Sequence, residues 1–170
     1  DEALVEKMVS EVAAQPGALA LLSFTASRMW EKRDQHFRRL TPRAYEALGG
    51  VGGALAQHAE SLLESMPREE QRIVRESFRQ LVTSEGTRAV LPHTELVAIL
   101  VGTEKAPERA KAVIERLGAS RLLVASEGET DEQIEIAHEA LLVAWPRLVT
   151  WRQEDAEGAR ALRFDPSRSC

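Results

Sequence analysis

Leu4, Val5, Met8, Val9 and Val12 recur at helical spacing, which predicts an amphipathic helix over residues 2–14. Gln15-Pro16-Gly17 ends it, because proline has no amide proton to donate and glycine loosens the backbone. A second helix is predicted over 18–32, with Leu19, Leu22, Ala26, Met29 and Trp30 on its main face. A polar connector follows over 32–39. Thr41-Pro42 then predicts a helix start, a hydroxyl cap followed by proline at the first helical position. That short helix carries Tyr45 and Leu48 and ends at Gly49-Gly50, and a longer amphipathic helix is expected over 54–65, stopped by Pro67.

Beyond Pro67 the periodicity changes. Residues 68–82 read as a helix with Ile73, Val74, Phe78, Leu81 and Val82 inward. Arg88-Ala89-Val90-Leu91 reads as a short strand ended by Pro92. Two helices follow, over 94–101 and 107–117, closed by Gly102-Thr103 and by Gly118. Strand-like runs over 121–126 and 133–137 flank a turn-rich loop, Glu127-Gly128-Glu129-Thr130-Asp131-Glu132. From His138 to about residue 162 the pattern is helical, with a kink expected where Pro146 follows Trp145. Helix, strand, helix, helix, hairpin is the order of a winged helix. The fold class expected is therefore mainly α: an N-terminal helical bundle over 1–66, a winged-helix domain over 67–145, and a C-terminal helix and tail over 146–170.

Composition narrows the functions this architecture could serve. With 44% hydrophobic and 29% charged residues, the 170-residue chain has the balance of a globular protein. No apolar run approaches the roughly 20 residues that span a bilayer, so no membrane role is expected. The single cysteine, Cys170, excludes an internal disulfide framework or a paired-cysteine metal site and fits a reducing, cytoplasmic setting. The sequence starts at Asp1 without an initiator methionine, which reads as a piece of a longer protein.

A net charge of −5 opposes nucleic-acid binding unless a basic face is concentrated somewhere. The helix that would enter a DNA groove carries mixed signs, Glu108, Arg109, Lys111, Glu115 and Arg116. The wing carries Glu127, Glu129, Asp131 and Glu132, which would meet phosphates with like charge. DNA is therefore not the expected partner. A transcription regulator with a helical sensor or dimerisation domain remains the alternative, with a plain interaction scaffold behind it.

Catalytic candidates are sparse. Gly49, Gly50, Gly52 and Gly53 lack the following Gly-Lys-Ser/Thr and the preceding strand of a phosphate loop. His36, His58, His93 and His138 are scattered without metal-ligand spacing, and His138-Glu139 lacks the second histidine of a zinc-protease motif because position 142 is Leu142. No catalytic or metal-binding set is assigned. His138 stands out for its position between a strand and a helix. There an imidazole can donate to an anion near a helix N-terminus, or satisfy backbone carbonyls at the junction.

Ile136-Ala137-His138-Glu139-Ala140-Leu141-Leu142, followed by Trp145-Pro146-Arg147-Leu148 and Trp151, resembles the end of the winged-helix domain in bacterial STAND signalling ATPases, AAA+-related regulatory NTPases. The stretch from Gln15 through Phe24, with Trp30-Glu31-Lys32-Arg33, resembles the helical lid that follows their nucleotide-binding core. The segments around Thr41, Tyr45 and Ala47 to Ala56 fit the same pattern, so the resemblance covers nearly the whole chain.

This resemblance implies a switch in which lid and winged helix close over bound ADP. It implies that His138 senses the nucleotide phosphates and that Pro16, Gly17 and Leu19 form the adenine-side turn. Ala20 stands where the family pattern has a second proline. The fragment itself would hold no cofactor. ADP or ATP with magnesium would belong to the parent protein, whose phosphate-binding loop and acidic residues would precede Asp1. The implied partners are that nucleotide-binding core, downstream sensor repeats such as WD40 repeats, and further copies of the protein on activation.

Overall fold

The computed structural model describes residues 2–13, 18–33, 36, 38–104 and 106–163. Residues at every fourth position form the seams of the first two helices. In α1 (Glu2–Val12), Leu4, Met8 and Val12 are buried, while Val5 and Val9 face outward. In α2 (Ala18–Glu31) the buried seam is Leu21, Thr25 and Met29, with Leu22 and Ala26 half-buried. The expected inward positions Leu19 and Trp30 are instead exposed. The apolar stripe is broader than the line of contact with the neighbouring helices, so its margins reach solvent. The Thr25 hydroxyl satisfies its buried position by donating to the Leu21 carbonyl at 2.8 Å.

Helix α3 (Pro42–Leu48) starts where Thr41-Pro42 requires, with the Thr41 hydroxyl accepting from the Ala44 amide at 3.1 Å. Gly49, at φ 75°, closes it in the left-handed region, and α4 (Gly50–Glu64) begins at once. The glycine-rich stretch thus lies within the first turn of α4 rather than before the helix. A Cβ on Gly53 would run into the Leu48 carbonyl, so only glycine lets the two helices meet this closely. Tyr45 ties α3 to α1 by donating its hydroxyl to the Glu11 carboxylate at 2.5 Å. Burial, then that carboxylate, keeps the phenol protonated well above its ordinary range.

The second half is α5 (Arg68–Gln80), β1 (Leu91–Pro92), α6 (His93–Glu104), α7 (Pro107–Ala119), β2 (Leu123–Ser126), β3 (Gln133–Ile136), α8 (Leu141–Ala144) and α9 (Pro146–Arg163). The three strands form one antiparallel sheet in the order β1-β3-β2, with Leu91 opposite Ile134 and Leu123 opposite Ile136. Pro92 lies within β1 rather than after it, tolerated because that strand is an edge. The expected strand over 88–91 contributes only Leu91 to the sheet, and Arg88 makes an isolated bridge to Val82. Gly118 does not stop α7; the helix runs to Ala119 and turns at Arg121.

The C-terminal helical run is broken as proline chemistry demands. Trp145 adopts φ −89° and ψ 104°, because the following Pro146 ring disfavours helical geometry at the residue before it. The run also starts at Leu141, three residues later than His138. Trp145 is fully buried, with Phe78 and Trp151 edge-on at 5.3 and 5.5 Å between ring centroids. The buried hydrophobic cluster runs through both halves of the chain, from Leu4 to Leu148.

Candidate functional site

The end of β3 is fixed on two sides. The Ala137 amide donates to the Leu122 carbonyl at 2.9 Å, and Arg88 donates to the Ile136 carbonyl at 3.1 Å while pairing with Glu135 at 3.3 Å. His138 follows immediately, and its carbonyl accepts from the Leu141 amide at 3.0 Å to begin α8. The imidazole is only 7% exposed, yet its Nδ1 has no hydrogen-bond partner among the described residues. Burial, and secondarily the Arg88 charge, lower its pKa, so the ring is neutral at pH 7.

The ring borders a cavity of about 480 Å³ whose wall includes Gly118, Arg121, Leu123, Val124 and Ala137. A buried polar atom without a partner costs about 1–3 kcal/mol. Satisfying backbone carbonyls, one of the two roles open at this junction, is not what Nδ1 does among the described residues. Nδ1 itself is closed off from solvent, so the cavity meets other atoms of the residue rather than this nitrogen.

A second histidine, His58 on α4, joins the two halves of the chain. Its Nε2 donates to the Ser120 carbonyl at 2.9 Å, leaving Nδ1 to accept from Arg28 at 2.5 Å. Arg28 also holds Glu31 at 2.8 Å. These groups wall a polar cavity of about 550 Å³ with Ser23, Ser27 and Arg121. Arg121 therefore borders both cavities. The sequence did not single out Arg28, His58 or Arg121. Their pairing depends on chain segments 30 and 62 residues apart, and the left-handed backbone of Arg121 has no glycine to announce it.

Burial is the leading cause that holds both His58 and His138 below the ordinary imidazole value of 6.5. Below pH 6.5 the unfolded chain therefore binds protons that the folded chain does not, so stability falls as pH drops. Urea unfolding midpoints are expected to decline from pH 7 to pH 5.5. Replacing His58 by glutamine should flatten that decline, and an equally steep decline in the variant would remove His58 from it.

The largest of these cavities, about 660 Å³, lies between α4 and α9 beside Trp145, Trp151 and Gly53. Its polar groups are already matched. Glu60 accepts from Trp145 Nε1 at 2.8 Å and from Arg147 Nε at 2.8 and 3.0 Å, and Arg147 Nη2 closes the pair. Arg75 is held by Glu154 and Asp155. Such a saturated set builds structure.

Pro16 and Gly17 lie outside the described residues, and Leu19 sits in the first turn of α2, 81% exposed. Two of the three cations of α7 are paired where they stand, and among the described residues Arg109 is not. Lys111 pairs with Glu108 at 3.5 Å, and Arg116 reaches Glu70 at 3.5 Å and the Ser65 hydroxyl at 2.8 Å. In the β2–β3 loop, Glu127, Glu129 and Glu132 are exposed. Asp131 accepts from the Thr94 hydroxyl at 2.6 Å and amide at 2.8 Å, which lower its pKa and tie the loop to α6. Among the described residues no helix is long and apolar enough to cross a membrane, and no cluster of three or more His, Cys, Asp or Glu side chains could hold a metal ion.

The family model described as Novel STAND NTPase 1 matches residues 1–164. No curated protein and no solved structure matches the chain.

Proposed function

Because the chain belongs to the novel STAND NTPase 1 family, we propose that it is the regulatory lid and winged-helix region of a signalling ATPase, acting without catalysis of its own. Residues 1–66 form the lid, 67–145 the winged helix and 146–170 the connection onward. The order α5, β1, α6, α7 and the β2–β3 hairpin supports the winged-helix reading. The observation that carries the function is His138, a buried histidine at the β3–α8 junction that lines a cavity.

In this reading a phosphate oxygen of the nucleotide accepts from an imidazole N–H of His138. ADP contacts of this kind bias the closed state, and their loss on exchange or signalling releases the protein to assemble. Leu19 offers exposed apolar surface for the base. Magnesium and the phosphate-binding loop belong to the nucleotide core of the same protein. That core, downstream sensor repeats and further copies of the protein are its partners, in the cytoplasm. The pairing of Lys111 and Arg116 on α7 and the acidic hairpin loop oppose the DNA-binding alternative electrostatically.

The test joins this chain to the core encoded upstream in its reading frame and follows ADP release by stopped flow. His138→Ala is expected to speed release about 10- to 100-fold, the loss of one hydrogen bond to a charged group. Unchanged release would remove His138 from the switch. An upstream frame without Gly-x-x-x-x-Gly-Lys-Ser/Thr would remove the whole reading.

A further inference from the structure

The sheet has two edges, and the chain guards only one of them. Strand β1 is two residues long and carries Pro92, which has no amide to offer a neighbour. The other edge, β2, is Leu123-Val124-Ala125-Ser126, with no proline, no charge and no break in its register with β3. Pairing with β3 uses one side of this strand. The Ala137 amide donates to the Leu122 carbonyl at 2.9 Å, so in the antiparallel alternation Leu122, Val124 and Ser126 bond toward β3. Leu123 and Ala125 therefore turn their N–H and C=O groups outward, and among the described residues no other backbone group reaches them.

The surface beside this edge is apolar and uncovered. Val124 is 41% exposed, and a cavity of about 480 Å³ opens along the strand between Gly118, Leu123, Val124, Ala125 and Ala137. Such a wall suits a second apolar strand, whose main chain would also meet the outward groups. The charges stand at the two ends. Arg121 precedes β2 and Glu127 and Glu129 follow it, all exposed, and none has an ion-pair partner among the described residues.

A strand with a cation before it and anions after it is its own complement when a copy runs antiparallel to it. We propose that β2 is a docking edge for a second copy of this chain, which adds its own β2 about a two-fold axis. The register that uses every outward group sets Leu123 opposite Ala125 of the other copy, in both directions, and forms about four backbone hydrogen bonds. Val124 then lies on the axis opposite its counterpart, in a non-bonded pair where side chains approach closely. Arg121 of each copy comes to the Glu127 end of the other. Self-association belongs to the reading above, but this surface does not depend on His138 meeting nucleotide, and the test by ADP release is separate.

Sedimentation equilibrium of the whole chain in about 50 mM sodium chloride tests the contact. A dimer with a dissociation constant of about 0.1 mM is expected, weak because a short strand pair buries less than a standard interface. Val124→Lys sets like charges against each other on the axis and should weaken pairing about tenfold or more. Arg121→Glu should weaken it about threefold to tenfold, and Arg121→Glu combined with Glu127→Arg should restore it. Melting temperatures should stay unchanged in all of these, because the substituted side chains are exposed. The register has its own readout. With Cys170→Ser in place, Val124→Cys should cross-link two copies on mild oxidation, since Cα atoms of a non-bonded antiparallel pair lie about 4.5 Å apart, within disulfide reach. Val90→Cys, exposed but off this edge, should not.

A chain that stays monomeric to about 1 mM overturns the proposal and leaves the edge to an extended segment of another protein. A dimer that Val124→Lys leaves intact uses another surface and overturns it as well. Loss of pairing in Arg121→Glu that the charge exchange does not restore overturns the antiparallel arrangement.

Discussion

Trp145→Ala is expected to destabilise the fold by about 3–5 kcal/mol and to lower the melting temperature by about 10 °C. The indole is fully buried and meets Phe78 and Trp151 edge-on, so truncation removes apolar burial and two ring contacts and leaves a void. Its position magnifies the effect. Trp145 is the residue where Pro146 breaks the helical run, and its ring lies between Phe78 of α5 and Trp151 of α9 while its N–H reaches Glu60 of α4. The void would therefore lie where elements from both halves of the chain meet. Trp145→Phe keeps much of the volume and should cost less than half as much. Urea unfolding followed by circular dichroism measures both. A loss below about 1 kcal/mol in the alanine variant would show that the site collapses and that Trp145 does not anchor the junction.

The parts of this structure that sequence reveals are those whose cause is local. Thr41-Pro42 specifies its helix start through one hydroxyl and one ring, and Pro146 forces Trp145 out of the helix through one steric clash. Stripe membership is less local. Val5, Val9, Leu19 and Trp30 have helical spacing but stay at or near the surface, because the width of a buried seam is set by what packs against it.

The candidate site divides the same way. His138 is visible in the sequence from its place between a strand and a helix and from the motif around it. Its unpaired Nδ1 becomes apparent only with the fold assembled. Arg121 was hidden more thoroughly. A glycine at position 118 draws the expected helix stop three residues too early, and an arginine in a left-handed turn carries no compositional signal.

Glu60 carries the second large effect, because one carboxylate serves two donors of unequal importance. It accepts the indole N–H of a fully buried tryptophan at 2.8 Å and the guanidinium of Arg147, whose side chain is 43% exposed. Removing the acceptor strands a buried N–H, while removing the arginine leaves a carboxylate that still has the indole and solvent. Glu60→Ala is therefore expected to cost about 2–3 kcal/mol and Arg147→Ala less than about 1 kcal/mol. Equal costs would mean that the ion pair, not the indole bond, dominates.

The pH dependence follows from the same geometry. The Arg147 hydrogen bonds, with that from Trp145, outweigh burial and hold the Glu60 pKa below its ordinary 4.5. A depressed carboxylate contributes stability that is fully present above the unfolded value and is lost as pH falls through the folded one. The stability gap between the unsubstituted chain and Glu60→Gln should accordingly be constant from pH 7 to about 5.5 and shrink below pH 4.5. A gap that widens on acidification would mean that the carboxylate is not stabilised by these donors in solution.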